Sequence, residues 1–122
     1  MKFFSVLFAA LFFSGSLFFG QAHAATFTAV SRSGDNLSLE FNEDVITRNS
    51  SEAIFCNGRR AMVVNAELWM PSMGHGSSPI AVYPQNNSCT ALRNLNFMMS
   101  GDWELRLNLN NMDSGVFAFE VR

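Results

Sequence analysis

The residues best suited to chemistry in this chain form one short run, Met70-Pro71-Ser72-Met73-Gly74-His75-Gly76, in which two thioethers and an imidazole share a glycine-rich loop. A second methionine pair, Met98-Met99, follows some two dozen positions on. A thioether sulfur hydrogen-bonds poorly but is a good ligand for soft metals, above all Cu(I), so methionine and histidine grouped outside a helical pattern point to a copper site. His75 is the imidazole donor, Met73 precedes it by two residues, and Met70 or a methionine of the 98–99 pair completes a three-coordinate site. One histidine with no free thiolate is too little for structural zinc. Each residue also has an ordinary reading. Met70 can end a strand as core filler, Met99 shares alternation phase with the apolar Leu95 and Phe97, and Met98 has the opposite phase. Trp103 opens an inward-facing run, and its ring can shield a cation if it edges the site.

The N-terminus decides what compartment these residues meet. Lys2 is followed by an apolar, Phe-rich run over residues 3–20, and Ala22-His23-Ala24 is a small-x-small processing site, so residues 1–24 read as a secretory signal cleaved after Ala24. The competing reading, an uncleaved anchor, is opposed by Ser14, Gly15 and Ser16 inside the run. No second apolar run of that length follows, so no stable membrane insertion is expected after cleavage. Processing removes the sole Lys and one of the two His, which leaves His75 without a rival and takes the formal net charge from −2 to −3. A chain of that charge lacks the basic stripe that binding to nucleic acid requires.

Residues 25–122 are long enough for one domain. Period-two alternation recurs through it and no helical repeat persists over three turns. Leu37, Leu39 and Phe41 alternate with Ser and Glu; Trp103, Leu105, Leu107 and Leu109 alternate with Glu, Arg and Asn; Phe117, Phe119 and Val121 alternate with Ala and Glu. Shorter runs at 26–31, 52–56, 62–69, 79–83 and 91–98 bring the expected count to seven or eight strands. Turn chemistry at Ser33-Gly34-Asp35, Asn57-Gly58, Gln85-Asn86-Asn87, Ser100-Gly101-Asp102 and Asp113-Ser114-Gly115 separates them. Short strands with frequent turns predict an all-β fold, an immunoglobulin-like antiparallel β-sandwich.

Strand direction then separates the chemistry into two poles. If 62–69 runs upward, the Met70–Ser78 loop lies at the top, the next strand descends to a bottom loop at 85–90, and 91–98 climbs back to place Met98 and Met99 beside the first loop. The same count puts Cys56 and Cys89 together at the bottom. An even pair in an exported domain is most simply a disulfide, and its distance from the methionines argues against thiolate copper ligands.

Met70-Pro71-Ser72-Met73-Gly74-His75-Gly76 followed by Phe97-Met98-Met99-Ser100-Gly101-Asp102-Trp103 resembles the paired signature of the YtkA-like and FixH-like domains, MPxMGHG and FxMxGxW. The resemblance covers roughly residues 66–109. It implies an exported or membrane-tethered immunoglobulin-like sandwich associated with copper handling or cytochrome oxidase maturation, with Met70, Met73, His75, Met99 and Trp103 as motif residues. Met98 occupies a variable place in that pattern.

Catalysis is not expected. No Gly-x-Ser-x-Gly elbow accompanies His75, and the acidic pairs Glu43-Asp44 and Asp102 with Glu104 sit in a polar loop and on a solvent-facing phase. The functional expectation is a periplasmic or secreted domain that binds Cu(I) for storage or for transfer to or from a partner protein. The alternative is a metal-free interaction module that uses the same methionines as an adaptable apolar contact surface.

Overall fold

A computed structural model describes residues 24–58, 61–86 and 88–122. The expected signal, apart from Ala24, lies outside the described residues. The alternating runs become strands because one face of each can be buried against a facing sheet while the other stays wet. Among the described residues there are nine: β1 (Thr26–Val30), β2 (Asn36–Phe41), β3 (Ala53–Asn57), β4 (Val63–Met70), β5 (His75–Gly76), β6 (Ala81–Pro84), β7 (Cys89–Arg93), β8 (Gly101–Leu109) and β9 (Ser114–Val121). They form a five-stranded sheet in the order β1-β2-β3-β7-β6 and a four-stranded sheet in the order β5-β4-β8-β9, and every pairing is antiparallel. The chain passes between sheets after β3, β5 and β7, which is the Greek-key arrangement of an immunoglobulin-like sandwich with β1 added at one edge.

The core is the sum of the inward phases. Leu37, Leu39 and Phe41 of β2 and Ala53 and Phe55 of β3 meet Leu68 of β4, Leu105 and Leu107 of β8 and Phe117 of β9. Toward one end this layer becomes aromatic. Phe119 lies 5.2 Å from Phe27, 5.6 Å from Phe41 and 5.9 Å from Phe97, and Phe97 lies 5.7 Å from Trp103, mostly edge to face as ring quadrupoles prefer.

Cys56 and Cys89 sit directly opposite each other on β3 and β7 and form a disulfide with an S–S distance of 2.03 Å and Cα atoms 4.1 Å apart. In antibody domains the bridge ties the two sheets together. Here it links neighbouring strands of one sheet.

Several boundaries depart from the sequence expectation. The run expected at 91–98 is a strand only to Arg93, because Asn94 adopts φ +63° and turns the chain toward the other sheet. Leu95 and Phe97 nevertheless remain buried, so the alternation marks a core segment that bridges sheets. The strand expected at 79–83 is Ala81–Pro84, and part of the expected 70–78 loop is instead the hairpin strand β5.

Candidate functional site

The loop that carries His75 is a tight hairpin. The Met73 and Gly74 amides both donate to the Met70 carbonyl, at 3.1 and 2.9 Å, and the chain returns with Met70 opposite His75 and Trp69 opposite Gly76. Pro71 is preset for the start of such a turn, and Gly74 takes φ +66°, a left-handed conformation that a residue with a Cβ adopts only at a cost. Pro71 and Gly74 therefore have a sufficient backbone reason to be where they are. Their consequence is to aim His75 back across the end of β4.

The second half of the site comes from the 94–100 segment and the start of β8. Trp103 is 1 % exposed, and its Nε1 donates to the Met99 carbonyl at 2.9 Å, which folds the chain over the indole. Gly101 adopts φ +135°, and a Cβ added there would lie 2.6 Å from the Met70 terminal methyl. Met70 thus occupies the space that this glycine leaves. Two side-chain hydrogen bonds lash the halves together: Ser77 Oγ donates to the Asn96 carbonyl at 2.5 Å, and Asn96 Nδ2 donates to Ser78 Oγ at 3.3 Å. Neither Ser77 nor Asn96 stands out in the sequence, because a polar residue that fixes a loop has no periodic or motif signature.

His75 is half-buried, with its ring edge to face against Trp103 at a centroid distance of 6.3 Å. Its Nδ1 lies 2.9 Å from the Gly76 carbonyl oxygen. A carbonyl can only accept, so this contact places the ring proton on Nδ1 and leaves the Nε2 lone pair free to bind a metal. The same backbone bond holds the ring in orientation, as outer partners do for metal-ligating histidines.

The methionines divide by burial. Met70 is 4 % exposed and belongs to the core, whereas Met73, Met98 and Met99 are 56, 43 and 38 % exposed. Exposure thus assigns Met99 to the surface despite its apolar phase. Trp103 is both a core residue and the ring against which His75 packs. The remaining tryptophan, Trp69, faces out from the four-stranded sheet, where the Arg106 guanidinium lies 4.8 Å from its ring centre and bonds Glu104 at 2.9 Å.

Cys56 and Cys89 lie at the opposite pole. Cys89 begins β7, and β7 must run its length before the chain reaches Asn96 and Met98. That far pole has its own polar anchor, unforeseen in the sequence. The buried carboxylate of Asp113 accepts from the Ser33 hydroxyl at 2.6 Å and from the Ser33 and Ser114 amides at 3.0 and 2.9 Å. Hydrogen bonds from Ser31 and Ser33 hold this carboxyl well below the usual carboxylate range.

Among the described residues no three His, Cys, Asp or Glu side chains gather to hold a metal ion. The donors at the His75 pole are one imidazole nitrogen and neutral thioether sulfurs, a set that suits Cu(I) and is too soft for calcium or magnesium. Comparison with protein families, curated proteins and solved structures finds no match for this chain. The protein is an immunoglobulin-like β-sandwich with one intrasheet disulfide.

Proposed function

We propose that the pole carrying His75 binds Cu(I), in an exported protein that stores the ion or exchanges it with a donor or acceptor protein. One observation carries this reading: His75 is held with Nδ1 tied to the Gly76 carbonyl and Nε2 without a hydrogen-bond partner among the described residues, on the loop that also bears the exposed Met73. Met98 and Met99 supply further exposed sulfurs from the segment lashed alongside, and Trp103 forms the wall. Neutral ligands on surface segments favour exchange over permanent burial of the ion. The resemblance to YtkA-like and FixH-like domains supports the same reading, and its narrower form is a part in cytochrome oxidase maturation.

The test is a titration of the processed protein with Ag(I), the redox-inert surrogate for Cu(I), followed by tryptophan emission and methionine methyl NMR shifts. A saturable response is expected, with shifts at Met73, Met98 and Met99 and a change in Trp103 emission. It should be lost in the double variant Met73→Ala with His75→Ala. A response that survives in that variant overturns the site as drawn. No response in wild type leaves the interaction-module reading, in which the exposed thioethers contact another protein with no metal.

A further inference from the structure

The exposed methionines have a second chemistry, and the fold provides its control. The described thioethers fall into three groups: Met73, Met98 and Met99 exposed at the His75 pole; Met70 buried beneath them; and Met62 and Met112, 45 and 84 % exposed, at the other end, where Met62 and Asn110 exchange backbone and side-chain hydrogen bonds. Both cysteines of the chain are bridged, so no thiol competes for a two-electron oxidant. Susceptibility of methionine to oxidation follows access to the sulfur.

We infer that Met73, Met98 and Met99 form an oxidation-sensitive switch on the metal site: in the unloaded protein a peroxide converts them to sulfoxides that take up the ion poorly, and a bound redox-inert soft ion such as Ag(I) shields them from that oxidation. The inference rests on the proposed binding of a soft cation at this pole. In each step the sulfur lone pair attacks one peroxide oxygen, the O–O bond breaks, and the sulfur is oxidised by two electrons. The other oxygen is reduced and leaves as water after proton transfer. The product is a polar sulfoxide in which one of the two sulfur lone pairs is bonded to oxygen and the other sits on an electron-poor sulfur beside a hard oxygen donor, so its affinity for a soft ion falls. A coordinated ion withdraws electron density from the sulfur and covers it, so a bound thioether is a poorer nucleophile toward peroxide and is oxidised more slowly. Met70, the thioether whose oxidation would disrupt packing, is protected by burial, so the switch acts at the surface and leaves the fold standing.

Hydrogen peroxide oxidation of the full mature protein in chloride-free buffer, with and without saturating Ag(I) and read by peptide mass spectrometry, tests this. Without the ion, all five exposed methionines should gain one oxygen. With it, Met73, Met98 and Met99 should be oxidised at least tenfold more slowly while Met62 and Met112 keep their rates. The oxidised protein, with its far-ultraviolet circular dichroism retained, should bind Ag(I) at least tenfold more weakly, and methionine sulfoxide reductase should restore the affinity. Binding of Ag(I) with equal protection at both poles or at neither, or undiminished binding after oxidation, overturns the switch and leaves the metal site intact. Absence of binding to the unoxidised protein overturns both.

Discussion

Removal of the Cys56–Cys89 bridge should weaken the fold by a calculable amount without touching the His75 pole. The cysteines are 33 residues apart and stand opposite each other on paired strands, so replacing both by Ala leaves a cross-strand Ala pair that the sheet accommodates without rearrangement. The main cost then lies in the unfolded chain, which regains the freedom of an open loop. The chain-entropy relation for a loop of that size gives about 3.8 kcal/mol at 25 °C. For a domain of this length such a loss lowers the melting temperature by roughly 15 to 30 °C. With a urea dependence of about 1 kcal/mol per molar, it lowers the denaturation midpoint by about 3 to 4 M. Urea unfolding of Cys56→Ala with Cys89→Ala against the oxidised wild type measures it, and intact mass confirms that the wild type has no free thiol. A destabilisation below about 1 kcal/mol would refute the entropic reasoning, since the unfolded chain would then have to stay constrained without the bridge. The Ag(I) response of the folded double variant should match that of wild type. Its loss would show that the two poles are coupled.

Other consequences follow from single contacts. Gly101→Ala should cost about 2 to 4 kcal/mol by thermal unfolding, because the new methyl must displace the Met70 terminus from 2.6 Å and hold an unfavourable positive φ. The companion change Met70→Ala should relieve part of that clash, and additive losses in the double variant would refute this origin. Asp113 has a folded pKa below its unfolded one, so its contribution is present above about pH 4 and is lost as pH falls from there toward the folded value. Asp113→Asn should therefore be less stable than wild type at neutral pH and should flatten the fall in stability between about pH 5 and 2, measured by urea midpoints across that range. Parallel acid limbs in the two proteins would refute the assignment.

Much of this molecule was legible in the chain because burial on one face of a strand writes a period of two into the sequence. Leu37, Leu39 and Phe41, Trp103 to Leu109, and Phe117 to Val121 each lie with their apolar phase in the core. Strand parity, which needs only that each connection reverse the chain, sufficed to set the disulfide at one end and the Met70 and Met98 segments at the other. It was blind wherever the chain left a sheet without ending its alternation. Leu95 and Phe97 keep the phase of a strand while Asn94 has already turned the backbone away. Alternation reports which side chains are buried, not whether the backbone between them is paired.

The sequence by itself determined the pattern of burial, the presence of a methionine and histidine loop, and the pair of cysteines available to each other, since these depend on residue type and local order. Only the tertiary structure decided which thioethers are exposed, that the Gly76 carbonyl holds the His75 proton on Nδ1, that Trp103 closes over Met99 while Trp69 faces outward, and that the bridge joins neighbours within one sheet. The exposures, the outward face of Trp69 and the bridge depend on how residues distant in the chain fill the same space, whereas the His75–Gly76 and Trp103–Met99 contacts are local and are set by the path the folded backbone takes there. Met70 shows the difference: its place in the motif is a matter of sequence, and its burial in the core, with its terminal methyl in the space left by Gly101 on the adjoining strand, is a matter of tertiary packing.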